Sequence, residues 1–540
     1  MPHTPLRRSL LLSLLVVAFP AKSDEAVKPE DAEAAGVFIG EIRLDKHNVF
    51  DTDNPDESGW FYRLLNRLHI VTQDKVIRKQ LLFDEGEPLI ARELKETERI
   101  LRRNTYLFDA EVSIDRVEDG VADLTVMTRD VWTLIPDVSL SRSGGENSSR
   151  YGVEEANLFG RGQLIRLARS EDVDRDSTRF EFEDEHLGNS WTKVSLRIDD
   201  NSDGSSHRLF VDRPFIELNS TWSAGFDLLD DDRRIALYSL GDEAAEFQRD
   251  VRYGRLSRGW SKGIRDGWVR RYTLGAVYDD RRFGAVDDPV LPALLPENRK
   301  LVYPYVGVQI LEDRFEESAN SNAMGRTEDF FLGARLDATL GYASESFGSD
   351  RNAWILGIDG SKGFGSMESN ALLTSFSLSG RIEDGDSKNV LASASATWYQ
   401  RQSEKWLFFA AVSGTWGEEL DLDQPVQLGG DTGLRGYPLR YQNGPSKVLF
   451  TVEQRYFTDW YPWRFFRVGA AVFFDAGRSF GESPLGEESA GWLRDAGIGL
   501  RLAPTRGGTK KIVHIDLAFP LDGDDDIDDV QILLEAKRSF

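Results

Sequence analysis

One arginine in a glycine-rich segment and two carboxylates on later segments are the residues that could form a strong ion pair. The segment 429–438 reads GGDTGLRGYP, and its glycines favour a shaped loop that presents Arg435, Gly436 and Tyr437. Alternation places Glu453 on the polar face of a strand over 447–457, and Asp475 on the more polar face of the next strand. A guanidinium can bind carboxylates bidentately, so these residues predict a loop held in place. An ordinary ion pair is the alternative.

The elements that must position these residues are alternating segments of about ten residues, which recur from residue 132 onward. Strands are predicted at residues 163–170, 177–187, 191–200, 206–213, 221–229, 247–260, 269–279, 301–312, 328–341, 353–362, 371–381, 391–401, 405–416, 447–457, 465–476, 492–502, 511–519 and 530–540. Several aromatic residues fall near strand ends, as an interfacial girdle would: Trp398, Trp406, Trp416, Trp460, Tyr461, Trp463 and Trp492. The pattern predicts a mainly β fold with a transmembrane antiparallel β-barrel over 132–540.

Residues 1–131 differ from the predicted barrel in their sequence pattern. Arg7 and Arg8 precede an apolar run and a small-x-small cleavage site, so residues 1–23 are predicted to be a secretory signal peptide. Residues 24–36 are rich in acidic residues and alanine, which predicts a flexible mature N-terminus. Residues 37–131 follow the order strand, helix, helix, strand, strand and predict one small α+β domain.

Composition excludes several functions. With 91 acidic and 66 basic residues the net charge is −25, so no nucleic-acid role is predicted. The chain has no cysteine, which rules out disulfides and thiolate chemistry. We find no nucleotide-binding, zinc-protease or serine-hydrolase motif and predict that the chain is not an enzyme, although serine, histidine and aspartate inside a barrel could still meet. The acidic segment 521–529 could bind calcium or bridge to lipopolysaccharide, but a solvated loop is the simpler interpretation.

Four motifs carry a resemblance to a known family. The chain resembles the BamA/TamA-type outer-membrane assembly factors and two-partner secretion transporters, also known as the bacterial surface antigen family. The matching features are Leu434-Arg435-Gly436-Tyr437, similar to the family's inward-folded sixth loop; Phe474-Asp475-Ala476-Gly477, whose aspartate receives the arginine; the NLFGRG segment with Asn157, Gly160 and Gly162, similar to the family's barrel start; and Phe540, similar to a C-terminal barrel signal. Glu453 matches the family's other acidic partner, Arg538 departs from the C-terminal pattern, and residues 37–131 resemble a single POTRA domain.

The resemblance implies a barrel of about 16 strands preceded by one POTRA domain, so that one or two of the predicted strands would be loop ribbons or split strands. It implies an outer-membrane protein with a periplasmic N-terminal domain that inserts or translocates client polypeptides without a cofactor or metal. The implied partners are outer-membrane lipids including lipopolysaccharide, an unfolded client polypeptide, and periplasmic chaperones or assembly machinery. The POTRA edge would capture a client strand or serve only as a spacer. The alternatives are a dedicated two-partner-type secretion pore, or a lipid-handling or passive barrel.

Overall fold

The structure is a computed structural model that describes residues 27–286, 294–486, 489–508, 510–523, 527–537 and 539. The predicted signal peptide at 1–23 and the C-terminal Phe540 therefore lie outside the described residues. In the part of the chain that the structure describes, no helix combines the length and apolar character needed to cross a bilayer.

Residues 27–130 form a small domain, called here the N-terminal domain, in which helices pack on a three-stranded sheet. Its strands are β1 (Phe38–His47), β2 (Leu107–Glu118) and β3 (Val121–Asp130), and its helices are α1 (Pro29–Ala34), α2 (Trp60–Leu68), α3 (Asp74–Arg78) and α4 (Ala91–Arg103). The sheet order is β1-β3-β2, with β1 parallel and β2 antiparallel to β3. Apolar residues at alternate strand positions, such as Ile39 and Leu124, meet Leu94 and Leu101 of α4 in one buried core.

Two predictions for this domain need correction. Residues 29–34 form a helix within the segment predicted to be flexible: Pro29 at the first helical position and acidic residues in the first turn favour α1, and Ala32 is buried. Glu33 also accepts a hydrogen bond from the backbone N–H of Ala91, 3.1 Å away. Three helices rather than two lie between β1 and β2, because α2 at 60–68 is a separate amphipathic helix.

The rest of the chain closes into an antiparallel barrel of 20 strands, not about 16. Its strands are β4 (Leu134–Pro136), β5 (Ser139–Ser143), β6 (Glu146–Glu155), β7 (Gln163–Glu171), β8 (Asp176–Asp184), β9 (Lys193–Asn201), β10 (Gly204–Arg213), β11 (Trp222–Ser239), β12 (Asp242–Arg265), β13 (Trp268–Ala285), β14 (Arg299–Glu312), β17 (Arg335–Ala343), β18 (Ala353–Gly365), β19 (Asn370–Glu383), β20 (Asp386–Arg401), β21 (Trp406–Glu418), β24 (Ser446–Phe457), β25 (Phe466–Phe480), β26 (Leu493–Pro504), β27 (Ile512–Pro520) and β28 (Gln531–Lys537). β4 and β5 both pair with β6 and together make one interrupted strand.

The structure has more strands than the resemblance implies. The first strands, over 134–155, are rich in serine, asparagine and glycine, so the sequence pattern does not mark them. The predicted strand 328–341 is two elements, because Leu332, Gly333 and Ala334 separate β17 from β16 (Thr327–Phe331).

Two insertions leave the wall at opposite ends. β4 begins beside the N-terminal domain, and we call that end the domain end and the other the far end. At the domain end, β15 (Phe315–Ala319) and β16 form a two-stranded ribbon between β14 and β17. At the far end, residues 419–445 form a long loop, the far-end loop, which contains β22 (Gln427–Leu428), β23 (Gln442–Asn443) and Arg435.

Alternate residues of the wall face opposite sides. On β24 and β25 the outward residues Phe450 and Val472 are exposed, whereas Glu453 and Asp475 are buried in the interior. The wall thus presents an apolar exterior and a charged interior, and the interior is where the two insertions lie.

Candidate functional site

Arg435 contacts both of its predicted partners inside the barrel. Its Nε and Nη2 donate to the two oxygens of Asp475 at 2.6 and 3.0 Å, and its Nη1 donates to Glu453 at 2.8 Å. Arg435 is 5% exposed and Asp475 is fully buried, so the bidentate pair is shielded from water. Neighbouring strands β24 and β25 supply the two carboxylates.

Additional interior residues surround this arginine that the sequence analysis did not single out. The guanidinium lies 3.5 Å from the ring centroid of Phe473, and Asp516 is 3.7 Å from Nη1. Arg455 donates to the second oxygen of Glu453 at 2.8 Å, and Arg501 pairs with Asp516. All four residues lie on the same strand faces as Glu453 and Asp475, so the alternation that identified those two also contained this signal.

The two residues after Arg435 fix the loop to β26 and β27. The N–H of Gly436 donates to Asp495 at 3.1 Å, and a Cβ at Gly436 would stand 2.7 Å from the Cβ of Asp495. Only glycine therefore allows this approach. The hydroxyl of Tyr437 donates to the carbonyl of Arg494 at 2.7 Å and accepts from the N–H of the same residue at 3.0 Å.

The same loop also reaches the first hairpin of the barrel. The turn after β5 lies against it, since a Cβ at Gly144 would meet the backbone N of Leu439 at 2.3 Å. Arg440 donates to both oxygens of Asp174 at 2.8 and 2.7 Å and lies 4.3 Å from the ring centroid of Tyr238. The far-end loop thus joins strands from both ends of the barrel sequence.

The barrel-start motif occupies a different place from the one predicted. Asn157, Gly160 and Gly162 lie in the turn between β6 and β7, after the first two strand positions of the wall rather than at its start. The side-chain amide of Asn157 donates to the hydroxyl of Thr72 at 2.9 Å and its oxygen accepts from the N–H of Gly162 at 2.7 Å. The turn therefore docks on the N-terminal domain.

This docking point contains buried titratable groups of the domain. Thr72 donates to Asp130 from its N–H at 2.7 Å and from its hydroxyl at 3.0 Å. Burial raises the pKa of Asp130 to about 6 and lowers the pKa of His69 to about 4. His69 Nε2 lies 3.9 Å from Asp130 Oδ2. Domain and barrel are thus joined through a protected polar network.

No group of three or more potential metal ligands occurs among the described residues. Fold and interior together define a large closed β-barrel protein with an ion-paired internal loop and an N-terminal α+β domain.

The chain matches no known protein-family model and no curated protein. It is similar to solved BamA from Haemophilus ducreyi lacking POTRA domains 1–3, at 13% identity over 92% of this chain and 84% of that one, with a TM-score of 0.39. CdiB from Escherichia coli gives 14% identity over 92% and 76%, with a TM-score of 0.47. The FrpB iron transporter from Neisseria meningitidis gives 7% over 79% and 86%, with a TM-score of 0.42. Likeness at this level carries no argument about function. Function therefore has to be inferred from this chain's own residues.

Proposed function

We propose that this chain is an outer-membrane protein that inserts or translocates client polypeptides, with its N-terminal domain acting as a single POTRA domain in the periplasm. The observation that carries the proposal is a weakly paired wall position next to the far-end loop. A barrel that must admit or release another strand needs one place where its hydrogen bonding can be interrupted at low cost.

That place is the seam between β28 and β5. In the described residues the register across it consists of the single pair Leu534 and Arg142, whereas β27 and β28 are in register from Ile512 to Ala518. A cavity of about 400 Å³ lies behind the seam and is lined by residues of β5, β28 and the far-end loop.

The wall exterior supports a membrane location. Apolar side chains face outward on many strands, with Ile498 54% and Ile532 52% exposed, and Trp406 and Trp416 stand at the two ends of β21. A soluble chain rarely exposes apolar surface of this extent, whereas lipid would cover it.

The interior argues against a passive open pore. The far-end loop enters from one end, and the tip of the ribbon enters from the other, where Met324 and Phe330 pack with wall residues such as Leu407. The two insertions narrow the lumen from both ends, and a cavity of about 770 Å³ lined by residues such as Arg335, Ser375 and Ser395 remains inside the barrel.

The first test uses quantitative proteomics of outer membrane and medium from a deletion strain that is complemented with wild type or with Arg435→Ala. Depletion of several barrel proteins, rescued only by wild type, is the expected result. Loss of a single exported protein would identify a dedicated secretion pore instead. No change in the outer membrane or the medium would contradict both protein insertion and dedicated secretion, and would favour lipid handling or a passive barrel.

A second test locks the seam. Because the chain has no cysteine, Arg142→Cys with Leu534→Cys places one unique thiol pair across it. Paired residues of antiparallel strands are close enough for a disulfide. We expect the oxidised variant to fail in complementation and the reduced one to succeed. The matched control is Val513→Cys with Ala536→Cys between β27 and β28, which should be active when oxidised.

A further inference from the structure

The ribbon β15–β16 contacts both the N-terminal domain and the barrel interior. Its strands each have five residues, so its tip extends about 16 Å beyond its base. Its middle residues contact α4, and its tip contacts both β2 and the barrel wall. A loop that only connected β14 to β17 would not need contacts with both the N-terminal domain and the barrel wall.

The tip is a well-packed structure. The Glu328 carboxylate accepts hydrogen bonds from the backbone N–H groups of Ser321, Asn322 and Ala323 at 2.9, 3.0 and 2.9 Å. The hydroxyl of Tyr399 on the barrel wall donates to Asn322 at 3.0 Å. The tip is therefore held by its own hydrogen bonds and attached to the barrel wall at the domain end.

The tip is also connected to the site of Arg435. Arg455 donates from Nη1 to the carbonyl of Ser321 at 3.0 Å and from Nε to Glu453 at 2.8 Å. Glu453 is the carboxylate that accepts from Arg435 Nη1. One arginine thus separates the ribbon tip from the ion pair that holds the far-end loop.

In its middle the ribbon is attached through Arg102 of α4, which is 6% exposed. This residue donates to Asp329 from Nε at 3.0 Å and from Nη2 at 2.6 Å, and it also donates to Glu317 at 2.6 Å. Its remaining Nη1 donates to the carbonyl of Ala110 on β2 at 3.0 Å. Arg102 therefore holds the ribbon and caps a backbone group of β2 at the same time.

β2 is an edge strand of the domain sheet, and ribbon and helix side chains occupy part of its open edge. Arg326 of the ribbon tip donates to the carbonyl of Phe108 at 2.7 Å, and Thr327 donates to the Asp109 side chain at 2.9 Å. Glu98 of α4 accepts from the N–H of Val112 at 2.7 Å. These contacts use the backbone positions that an added strand would need.

We propose that the ribbon is a plug, and that an extended polypeptide segment adding to the β2 edge displaces it. The segment and the ribbon compete for the carbonyl of Phe108, and the segment also competes for the carbonyl of Ala110 with Arg102, the residue that holds the ribbon, so binding of one weakens the other by the same factor. Displacement withdraws the tip from the lumen and removes the Ser321 contact of Arg455. The inference rests on the proposed function, since it takes the client to be an extended segment.

The test measures ion conductance of the full chain in planar lipid bilayers, which needs no client insertion and so fails or succeeds separately from the complementation assays. The probe is a synthetic peptide with the sequence of Gln531–Lys537, an extended strand. We expect it to raise the conductance of wild type. Asp109→Cys with Thr327→Cys, joined as a disulfide or by a short bifunctional maleimide, should abolish that response.

Arg102→Ala provides a second test of the proposal. It should raise conductance without peptide and tighten peptide binding on the order of tenfold, the change that one charge-assisted hydrogen bond represents. Arg103→Ala, the exposed neighbour on the same helix, should behave as wild type. A wild-type chain that ignores the peptide, a cross-linked chain that still responds, or an Arg102→Ala variant that conducts as wild type would overturn the proposal.

Discussion

The Arg435 guanidinium donates to both carboxylate oxygens of Asp475, and this bidentate contact is buried within the barrel. A lysine at this position would present a point charge and could not reproduce the paired geometry. The shielding from water also places the pair in the range of buried rather than surface ion pairs.

Arg435→Lys should weaken closure of the far-end loop by about 3 kcal/mol, because it leaves buried carboxylates incompletely paired. The measurement is the reactivity of a single cysteine introduced as Leu434→Cys, which is fully buried in the closed loop. Arg440→Lys is the control, since its partner Asp174 lies at the rim, and it should cost about 1 kcal/mol. Equal protection of the thiol in wild type and Arg435→Lys would contradict the role of this ion pair.

Gly436→Ala tests the close approach of the loop to β26. The new methyl group would stand 2.7 Å from the Cβ of Asp495 and 3.2 Å from the backbone N of Pro520. We expect overpacking to weaken loop closure by about 1–3 kcal/mol in the same thiol assay. Gly284→Ala, where nothing lies within 4 Å of the added Cβ, should be neutral. A neutral Gly436→Ala would show that the loop sits elsewhere in solution.

Asn157→Ala should loosen the attachment of the N-terminal domain. The substitution leaves the N–H of Gly162 without its acceptor and removes the amide that donates to the hydroxyl of Thr72, at a cost of about 2 kcal/mol. Hydrogen exchange at the amides of residues 72 and 162 in the full chain reports the opening. Phe159→Ala is the control, since that side chain in the same turn is 61% exposed. Unchanged exchange in Asn157→Ala would rule out the docking contact.

The stability of the N-terminal domain should depend on pH through Asp130. Its folded pKa of about 6 exceeds the unfolded value of about 4, so its contribution to the unfolding free energy is full below about pH 4 and lost as the pH rises to about 6. The loss amounts to about 3 kcal/mol. His69 acts oppositely, since its lowered pKa of about 4 removes stability as the pH falls from about 6.5.

The two contributions have opposite slopes in the same range, about pH 4 to 6.5, so Asp130→Asn should leave only the His69 contribution and make stability rise with pH there. Protection of β3 amides in the full chain, corrected for intrinsic exchange rates, provides the readout. His69→Gln is the matched comparison, since it leaves only the Asp130 contribution and should make stability fall with pH over that range. Identical pH profiles for wild type and Asp130→Asn would contradict a raised pKa for this carboxyl group.

Strand faces could be predicted from the sequence, but the partners across the interior could not. The alternation over 447–457 places Glu453 on the correct face because successive side chains of a strand point to opposite faces of the sheet. Asp516 and Arg501 also lie at inward-facing positions of alternating strands. They come close to Arg435 only because the sheet closes into a barrel. Period-two patterning carries no information on which strands meet across a lumen.

The ribbon is a second feature that the sequence alone does not predict. Thr327–Phe331 is followed within four residues by β17, so the sequence alone merges this ribbon strand with β17. Phe315–Ala319 has no apolar–polar alternation and is not predicted as a strand. The separate role of the ribbon depends on Arg102, which lies more than two hundred residues away along the chain. In the N-terminal domain, by contrast, local order was enough to predict the strand and helix sequence apart from α1 and α2.

The height of the wall varies around the barrel. β12 has 24 residues, or about 80 Å of extended chain, whereas β27, one strand away from the seam, has 9, or about 30 Å. With the strand tilt usual in membrane barrels, β27 spans no more than about the 25 Å apolar band of such proteins. A bilayer in contact with both strands would be thinner beside β27, with less ordered acyl chains there.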